Sequence, residues 1–243
     1  MKIRIGTFNI QHGINYPHYL KNGEAVIDLK SCADQIAATG LDICGLNEVY
    51  NEAPKGKIGQ AEFIGNALGF NHRFARAIDI SCGEYGNAAV SRYPIKSVET
   101  FPIEVKEADR KDYKGYENRV LLHAVIDVEG TELSVYICHF GLAPDEQDMA
   151  EKTVTDLLKN DKRPLVFMGD FNITPDNAII GHFRDFLFDS STLVKGNTLT
   201  FPSDVPVKQI DYIFTNDKVK VISASVTDVS CSDHREYFAD IEF

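Results

Sequence analysis

The 243-residue chain contains no tryptophan, three methionines and five cysteines, and its 25 lysines and arginines are outnumbered by 36 acidic residues, for a net charge of −11. Each shortage excludes something. The cysteines (Cys32, Cys44, Cys82, Cys138 and Cys231) are odd in number and form no C-x-x-C pair, so they describe neither a disulfide framework nor a zinc ribbon, and they fit a reducing compartment. Cys44 and Cys138 sit inside apolar runs and read as small buried hydrophobes. No apolar run approaches the roughly 18 residues of a membrane span. The start, Met1-Lys2-Ile3-Arg4-Ile5-Gly6, alternates charge and apolarity unlike a signal peptide. A soluble cytoplasmic protein is expected. The shortage of positive charge argues against gripping a long phosphate backbone, which ordinarily takes many lysines and arginines. A small or locally bound partner is favoured.

Hydrophobic content of 44% and charged content of 25% are ordinary for a folded protein of a size that can bury a core. No internal repeat, linker or low-complexity segment breaks the chain, so one domain, residues 1–243, is expected. Strands are read at 2–10, 41–46, near 72–78 and 86–92, and at 95–103. Further strands follow at 120–128, 132–139, 165–170, and near 209–214, 218–227 and 236–243. Glu129-Gly130-Thr131 turns a hairpin. Amphipathic helices are read at 29–38, 58–68 and 145–159, and Thr174-Pro175 signals the cap and first residue of another. Strands alternating with helices, with hairpins between, make an α/β protein with mixed sheets.

The polar residues fall at strand ends. Leu165-Val166-Phe167-Met168-Gly169 leads to Asp170 and Asn172, two positions apart and so on one side of an extended chain. Asn9, Glu48, His139 and the Ser232-Asp233-His234 turn lie in similar places. Ligand sites of open α/β sheets lie beyond the carboxyl ends of strands. Carboxylates at Glu48, Asp170 and Asp233, with no cysteine among them, form a hard oxygen set suited to Mg²⁺ or Mn²⁺. Asp211 is a carboxylate inside an apolar strand, where burial without a partner is costly. His12, in a loop near Asn9, is close enough in sequence to touch a substrate but reads first as a solvated histidine, and His18, His72, His123 and His182 read as structural.

Seven stretches in order carry a resemblance: Thr7-Phe8-Asn9, Leu46-Asn47-Glu48, Gly86 to Ile95, His139-Phe140-Gly141, Gly169-Asp170-Phe171-Asn172, Gln209 to Phe214, and Ser232-Asp233-His234. The chain resembles the endonuclease/exonuclease/phosphatase superfamily of metal-dependent phosphoesterases, over nearly its whole length. The resemblance implies a four-layer α/β sandwich, two mixed β-sheets packed face to face with helices outside. It implies Glu48 as main ligand of a Mg²⁺ (or Mn²⁺) ion, with Asn9 and Asp233 in support. Asp170 would orient or deprotonate the attacking water. Asn172 and Arg119 would bind phosphoryl oxygens, His139 would stand near the leaving group or phosphate, and His234 would pair with Asp211. Glu84 is a candidate acidic partner for His139. The expected activity is hydrolysis of a phosphomonoester or phosphodiester by an activated water. A small-molecule or lipid-headgroup ester is the favoured substrate, handled by a monomer. The alternative is a nuclease acting on DNA or RNA. Residues 104–118 carry mixed charge and read as a solvated loop able to form a lid.

Overall fold

The structure is a computed structural model that describes residues 1–51, 58–81, 83–107, 110 and 115–243. Its strands form two six-stranded mixed sheets. The first sheet comprises β1 (Lys2–Asn9), β2 (Ile43–Asn51), β3 (Asn71–Ile80), β4 (Gly83–Ser91), β11 (Lys220–Val226) and β12 (Tyr237–Glu242), in the order β11-β12-β1-β2-β4-β3. The second comprises β5 (Ile95–Ile103), β6 (Arg119–Val128), β7 (Thr131–His139), β8 (Leu165–Asp170), β9 (Phe188–Asp189) and β10 (Asp211–Thr215), in the order β5-β6-β7-β8-β10-β9. Each sheet has one parallel pair, β1 with β2 and β7 with β8. Each pair is joined through a helix, as a parallel crossover requires: α2 (Leu29–Thr39) in the first sheet and α4 (Pro144–Asn160) in the second.

Three apolar clusters account for the layers. One lies between the sheets, where Ile3, Ile5 and Ile43 meet Leu122, Val135, Ile137, Val166 and Met168. A second seals α2 and α3 (Gln60–Leu68) onto the outer face of the first sheet through Ile36, Ile64, Phe8 and Leu46. A third joins α4 and α5 (Ala178–Arg184) to the second sheet through Val154, Phe183, Phe167 and Phe214. β7 and β8 are buried along nearly their whole length, which is why they read as continuous apolar runs rather than alternating ones. The four-layer sandwich expected from the motifs is the observed fold.

Two local readings are corrected. Thr174-Pro175 does not open a helix. The Thr174 hydroxyl bonds Asp176 instead, and the helix starts at Ala178, where the Asn177 side chain accepts from Ile179 N. A short helix α1, Tyr16–Asn22, occupies a stretch expected to be loop. Asn15 caps it, Gly23 ends it with φ +70, and it buries no residue. The hairpin is tighter than expected, with Glu129 and Gly130 both at positive φ and β7 beginning at Thr131. Of the 104–118 loop, residues 108–109 and 111–114, part of the suggested lid, lie outside the described residues.

Candidate active site

Strand register assembles the site. The parallel ladder sets His139 beside Asp170, and the antiparallel one sets Asp211 opposite Asp170. β1 ends at Asn9, in register with Asn47 on β2. There β2 breaks step with β4: Leu46 pairs with Ala88 and Val49 with Gly86, so Asn47 and Glu48 together face Asn87. This β-bulge, in which two residues oppose one, re-aims side chains. Glu48 takes φ +56, a conformation that costs a non-glycine residue about 1–3 kcal/mol and is kept only where the surroundings enforce it. Gly169, at φ +148, runs so close to β7 that a Cβ there would sit 1.8 Å from the Cys138 carbonyl oxygen.

Asp170 is the hub. It is 1% exposed. Its Oδ1 accepts from Asn172 N at 2.9 Å and its Oδ2 from Asn9 Nδ2 at 3.0 Å. His234 Nε2 and His139 Nε2 lie 3.5 and 3.6 Å from that same Oδ2. Asn9 Nδ2 also reaches Glu48 Oε1 at 3.1 Å, tying the two carboxylates to one amide. His234 Nδ1 is 2.9 Å from Asp211 Oδ2. Ser232 donates to the Asn9 carbonyl at 2.8 Å and lies 3.2 Å from Asp233 Oδ1, which fixes the turn carrying Asp233 and His234. Asn172 Nδ2 stands 3.0 Å from both His139 Nε2 and the Phe140 carbonyl, and Arg119 Nη1 is 3.2 Å from His139 Nδ1. Asn9, Glu48, Arg119, His139, Asp170, Asn172, Asp211, Asp233 and His234 therefore arrive at one end of the two sheets.

The electrostatics divide the site into charged and neutral parts. Burial raises Asp170 above the ordinary carboxylate range, although the His234 charge pulls the other way. Burial raises Asp233 to about 6, with Glu48 adding to the rise. For His234, burial opposes the charged ring, but Asp211 and Asp170 outweigh it and hold the imidazolium. His139 is pushed well below its ordinary value by burial and the adjacent Arg119, so its ring is neutral. The two imidazoles thus sit on either side of Asp170 in different protonation states.

Glu48, Arg119, His139, Asp170, Asn172, Asp233 and His234 line a cleft of about 510 Å³, together with Phe201, Lys208 and Ile210. Two groups of donors deserve comparison as a metal site. Among the described residues, Asp170, Asp211 and His234 converge most tightly, with one ligand atom each, all within 4.8 Å of one another. Yet a protonated ring offers no lone pair to a metal, and Asp211 and Asp170 keep the proton on His234. Glu48, Asn9 and Asp233 form the second group. Glu48 and Asp233 are carboxylates on one cleft, the hard oxygen donors that Mg²⁺ or Mn²⁺ takes, while Asn9 turns its Nδ2 to Glu48 and its Oδ1 accepts from Gln11 N at 3.0 Å.

Some participants were not singled out from the sequence. Asn47 is fully buried. Its Oδ1 accepts from Asp170 N at 3.0 Å, while its Nδ2 donates to Asn87 Oδ1 at 2.8 Å and to the Cys138 carbonyl at 3.2 Å. Asn87 in turn donates to the Val120 carbonyl at 2.8 Å, so the two asparagines lock the sheets together beneath the site. His12, read as solvated, is partly buried. It stacks on Tyr50 with ring centroids 4.1 Å apart, and its Nε2 lies 3.4 Å from Glu48 Oε2. Glu84 does not serve His139. It bonds Asn51 Nδ2 at 2.7 Å and lies 3.8 Å from Arg76. Cys32 and Cys231 are free thiols with sulfurs 3.7 Å apart.

A two-sheet sandwich carrying carboxylates, carboxamides and imidazoles at one end of both sheets has the layout of a phosphoester hydrolase. Comparison with known proteins agrees: the profile of the Endonuclease/Exonuclease/phosphatase family matches residues 6–234, and the chain belongs to that family. Similar solved structures include an endonuclease/exonuclease/phosphatase from Bacteroides vulgatus, at 19% identity and TM-score 0.80, covering 100% of this chain and 99% of that one. Another is a family protein from Leptotrichia buccalis, at 22% identity and TM-score 0.76, covering 99% and 100%. A third is a mannosyl-6-phosphatase from Bacteroides thetaiotaomicron, at 17% identity and TM-score 0.80, covering 99% and 100%. A search of the curated proteins returns no match. At these identities the structural likeness speaks for the fold alone.

Proposed function

We propose that the protein is a Mg²⁺- or Mn²⁺-dependent hydrolase of a small phosphate ester, cleaving it by attack of water. The observation that carries this reading is the position of Asp170, a buried carboxylate with neutral His139 on one side and charged His234 on the other, opening into the same cleft as Glu48 and Asp233. Phosphoryl transfer demands mainly positioning and charge stabilisation, and these residues divide that work.

Glu48, Asn9 and Asp233 would hold the ion, which supplies positive charge to the phosphoryl oxygens and lowers the pKa of bound water. Asp170 orients the attacking water and accepts its proton, its raised proton affinity suiting a general base near neutral pH. Asn172 and Arg119 donate to the non-bridging oxygens. The Asp211 carboxylate keeps the His234 imidazolium charged and turned toward Asp170 and the phosphate, as carboxylate partners of catalytic histidines do. Neutral His139 stands beside Arg119, where it would contact the phosphate or the departing oxygen.

Small substrates are supported by the net charge of −11 and by Lys208 being the one lysine that lines the cleft among the described residues. One structural neighbour is described as acting on a sugar phosphate. The test is hydrolysis of a chromogenic monoester, a chromogenic diester and an abasic-site oligonucleotide, each with Mg²⁺, Mn²⁺ or chelator, beside Asp170→Asn. Metal-dependent turnover of a small ester, lost in the variant, is the expected result. Cleavage of the oligonucleotide alone, with steeply salt-dependent binding, would make the protein a nuclease instead.

A further inference from the structure

Beside the cleft lies a second pocket of about 290 Å³, which shares Glu48 and Arg119 with it. Its floor is a row of side chains in register across three strands: Tyr50 on β2 opposite Tyr85 on β4, and Tyr85 opposite Ile78 on β3. Ile80, two residues further along β3, extends that face. Two bulges shape the row, one at Asn47-Glu48 and one between Arg76 and Ile78. The second passes over Gly86, where a Cβ would lie 1.9 Å from the Ala75 carbonyl oxygen. His12 closes one side. It is held in a left-handed turn at φ +54, its carbonyl accepts from Gln60 at 2.6 Å, and its ring meets Tyr85 edge-on at 5.5 Å.

The polar rim is unfinished. Arg119 is 8% exposed, yet among the described residues its Nε has no hydrogen-bond partner, and neither does His12 Nδ1. Arg119 Nη1 is 2.6 Å from Glu117 Oε1, setting a carboxylate beside the guanidinium at the mouth. A buried donor without an acceptor costs free energy, and a ligand group can remove that cost.

Resting on the phosphoesterase reading, we infer that this pocket is the leaving-group subsite and takes a single sugar ring, making the substrate a sugar phosphate. Aromatic and aliphatic walls suit the C–H faces of a pyranose, while alternating carboxylate and guanidinium at the rim suit hydroxyls that both donate and accept. The tyrosine edges offer no open parallel slot for a base, since the His12–Tyr50 stack occupies one face of Tyr50 and Tyr85 stands edge-on to both rings. In turnover the water oxygen forms the new P–O bond and the bond from phosphorus to the sugar oxygen breaks. The sugar oxygen leaves with a proton, giving free sugar and inorganic phosphate.

The experiment compares kcat/KM for glucose 6-phosphate, mannose 6-phosphate, glycerol 3-phosphate and adenosine 5′-monophosphate in wild type and in Ile78→Trp, which fills the pocket from a half-exposed position on an edge strand. Ile80→Trp serves as a second filler, and circular dichroism confirms folding of both. A hexose phosphate should exceed glycerol 3-phosphate by at least ten-fold, and filling the pocket should shrink that ratio by a similar factor. A ratio near one, a ratio that both fillers leave unchanged, or a preference for the nucleotide would overturn the inference. Calorimetric binding of the same four compounds to Asp170→Asn in Mg²⁺ gives a readout without turnover. If no ester is hydrolysed but hexose phosphate still binds ten-fold more tightly and loses that advantage in the Ile78→Trp background, the hydrolase reading fails and the subsite stands.

Discussion

Asp211 Oδ2 lies 2.9 Å from His234 Nδ1, and both side chains are buried, 0% and 4% exposed. The pair is the end of a relay that continues from His234 Nε2 to Asp170 Oδ2 at 3.5 Å. Replacing the carboxylate by an amide keeps the shape and removes the charge that holds the imidazolium. Asp211→Asn should therefore lower kcat by about 10²–10⁴-fold, the usual worth of acid–base and charged groups in such sites, with a smaller change in KM. Steady-state kinetics on a chromogenic ester would show it. A kcat within three-fold of wild type would remove the dyad from the mechanism.

The two candidate ion sites make opposite predictions. If Glu48, Asn9 and Asp233 hold the metal, Asp233→Asn should raise the Mg²⁺ concentration at half-maximal thermal stabilisation by at least about ten-fold, whereas Asp211→Asn should barely move it. Ligand stabilisation grows with concentration over Kd, near 2.7 kcal/mol at about 100-fold excess, so the shift is readable as a melting temperature. The reverse ranking would move the ion to the Asp170, Asp211 and His234 group.

Glu236 supplies a pH test away from the cleft. It is fully buried; its Oε1 accepts from Thr39 Oγ1 at 3.0 Å and its Oε2 from Gln35 Nε2 at 3.5 Å. Burial raises its carboxyl to about 7 from an ordinary 4.5. Between those values the folded chain binds more protons than the unfolded one, so this group makes stability fall as pH rises from 4.5 to 7, and its cost is fully present above that. Glu236→Gln should remove the fall. The variant should be the more stable protein at pH 8, by on the order of 1–3 kcal/mol, and should lose that advantage at pH 4.5. Urea denaturation at the two pH values decides it, and an equal difference at both would contradict the assignment.

Gly169→Ala should be severe. The positive φ and the 1.8 Å approach to the Cys138 carbonyl leave no room for a methyl group in the β7–β8 ladder. A loss of about 3 kcal/mol or more in urea denaturation is expected for strain and a broken ladder combined. A loss under 0.5 kcal/mol would mean that the backbone around Asp170 can relax.

The sheets, their helices and the carboxylate end of the site were legible because each rests on local pattern. Buried strands show as apolar runs, and Asp170 and Asn172 follow one directly. What was not legible depends on tertiary contact. Nothing local marks His12 as a wall beside Glu48, because a glutamine 48 residues away, Gln60, holds its loop. Asn47 and Asn87 look like ordinary strand residues until the second sheet supplies the Asp170 amide and the Val120 carbonyl. Helix α1 buries nothing and so carries no apolar stripe, although its cap Asn15 and stop Gly23 are in place. Thr174-Pro175 misled because it has the form of a helix start three residues ahead of the true cap, Asn177.

The central claim is that the Glu48 cleft performs metal-dependent phosphoester hydrolysis. Its most direct measurement is the initial rate on a chromogenic phosphate ester across a Mg²⁺ titration, with wild type and Glu48→Gln side by side. Wild type should show saturable activation, abolished by chelator, and Glu48→Gln should lose at least about 10²-fold in rate and need far more Mg²⁺ for half-activation. Equal rates and equal Mg²⁺ dependence in the two proteins would contradict the account.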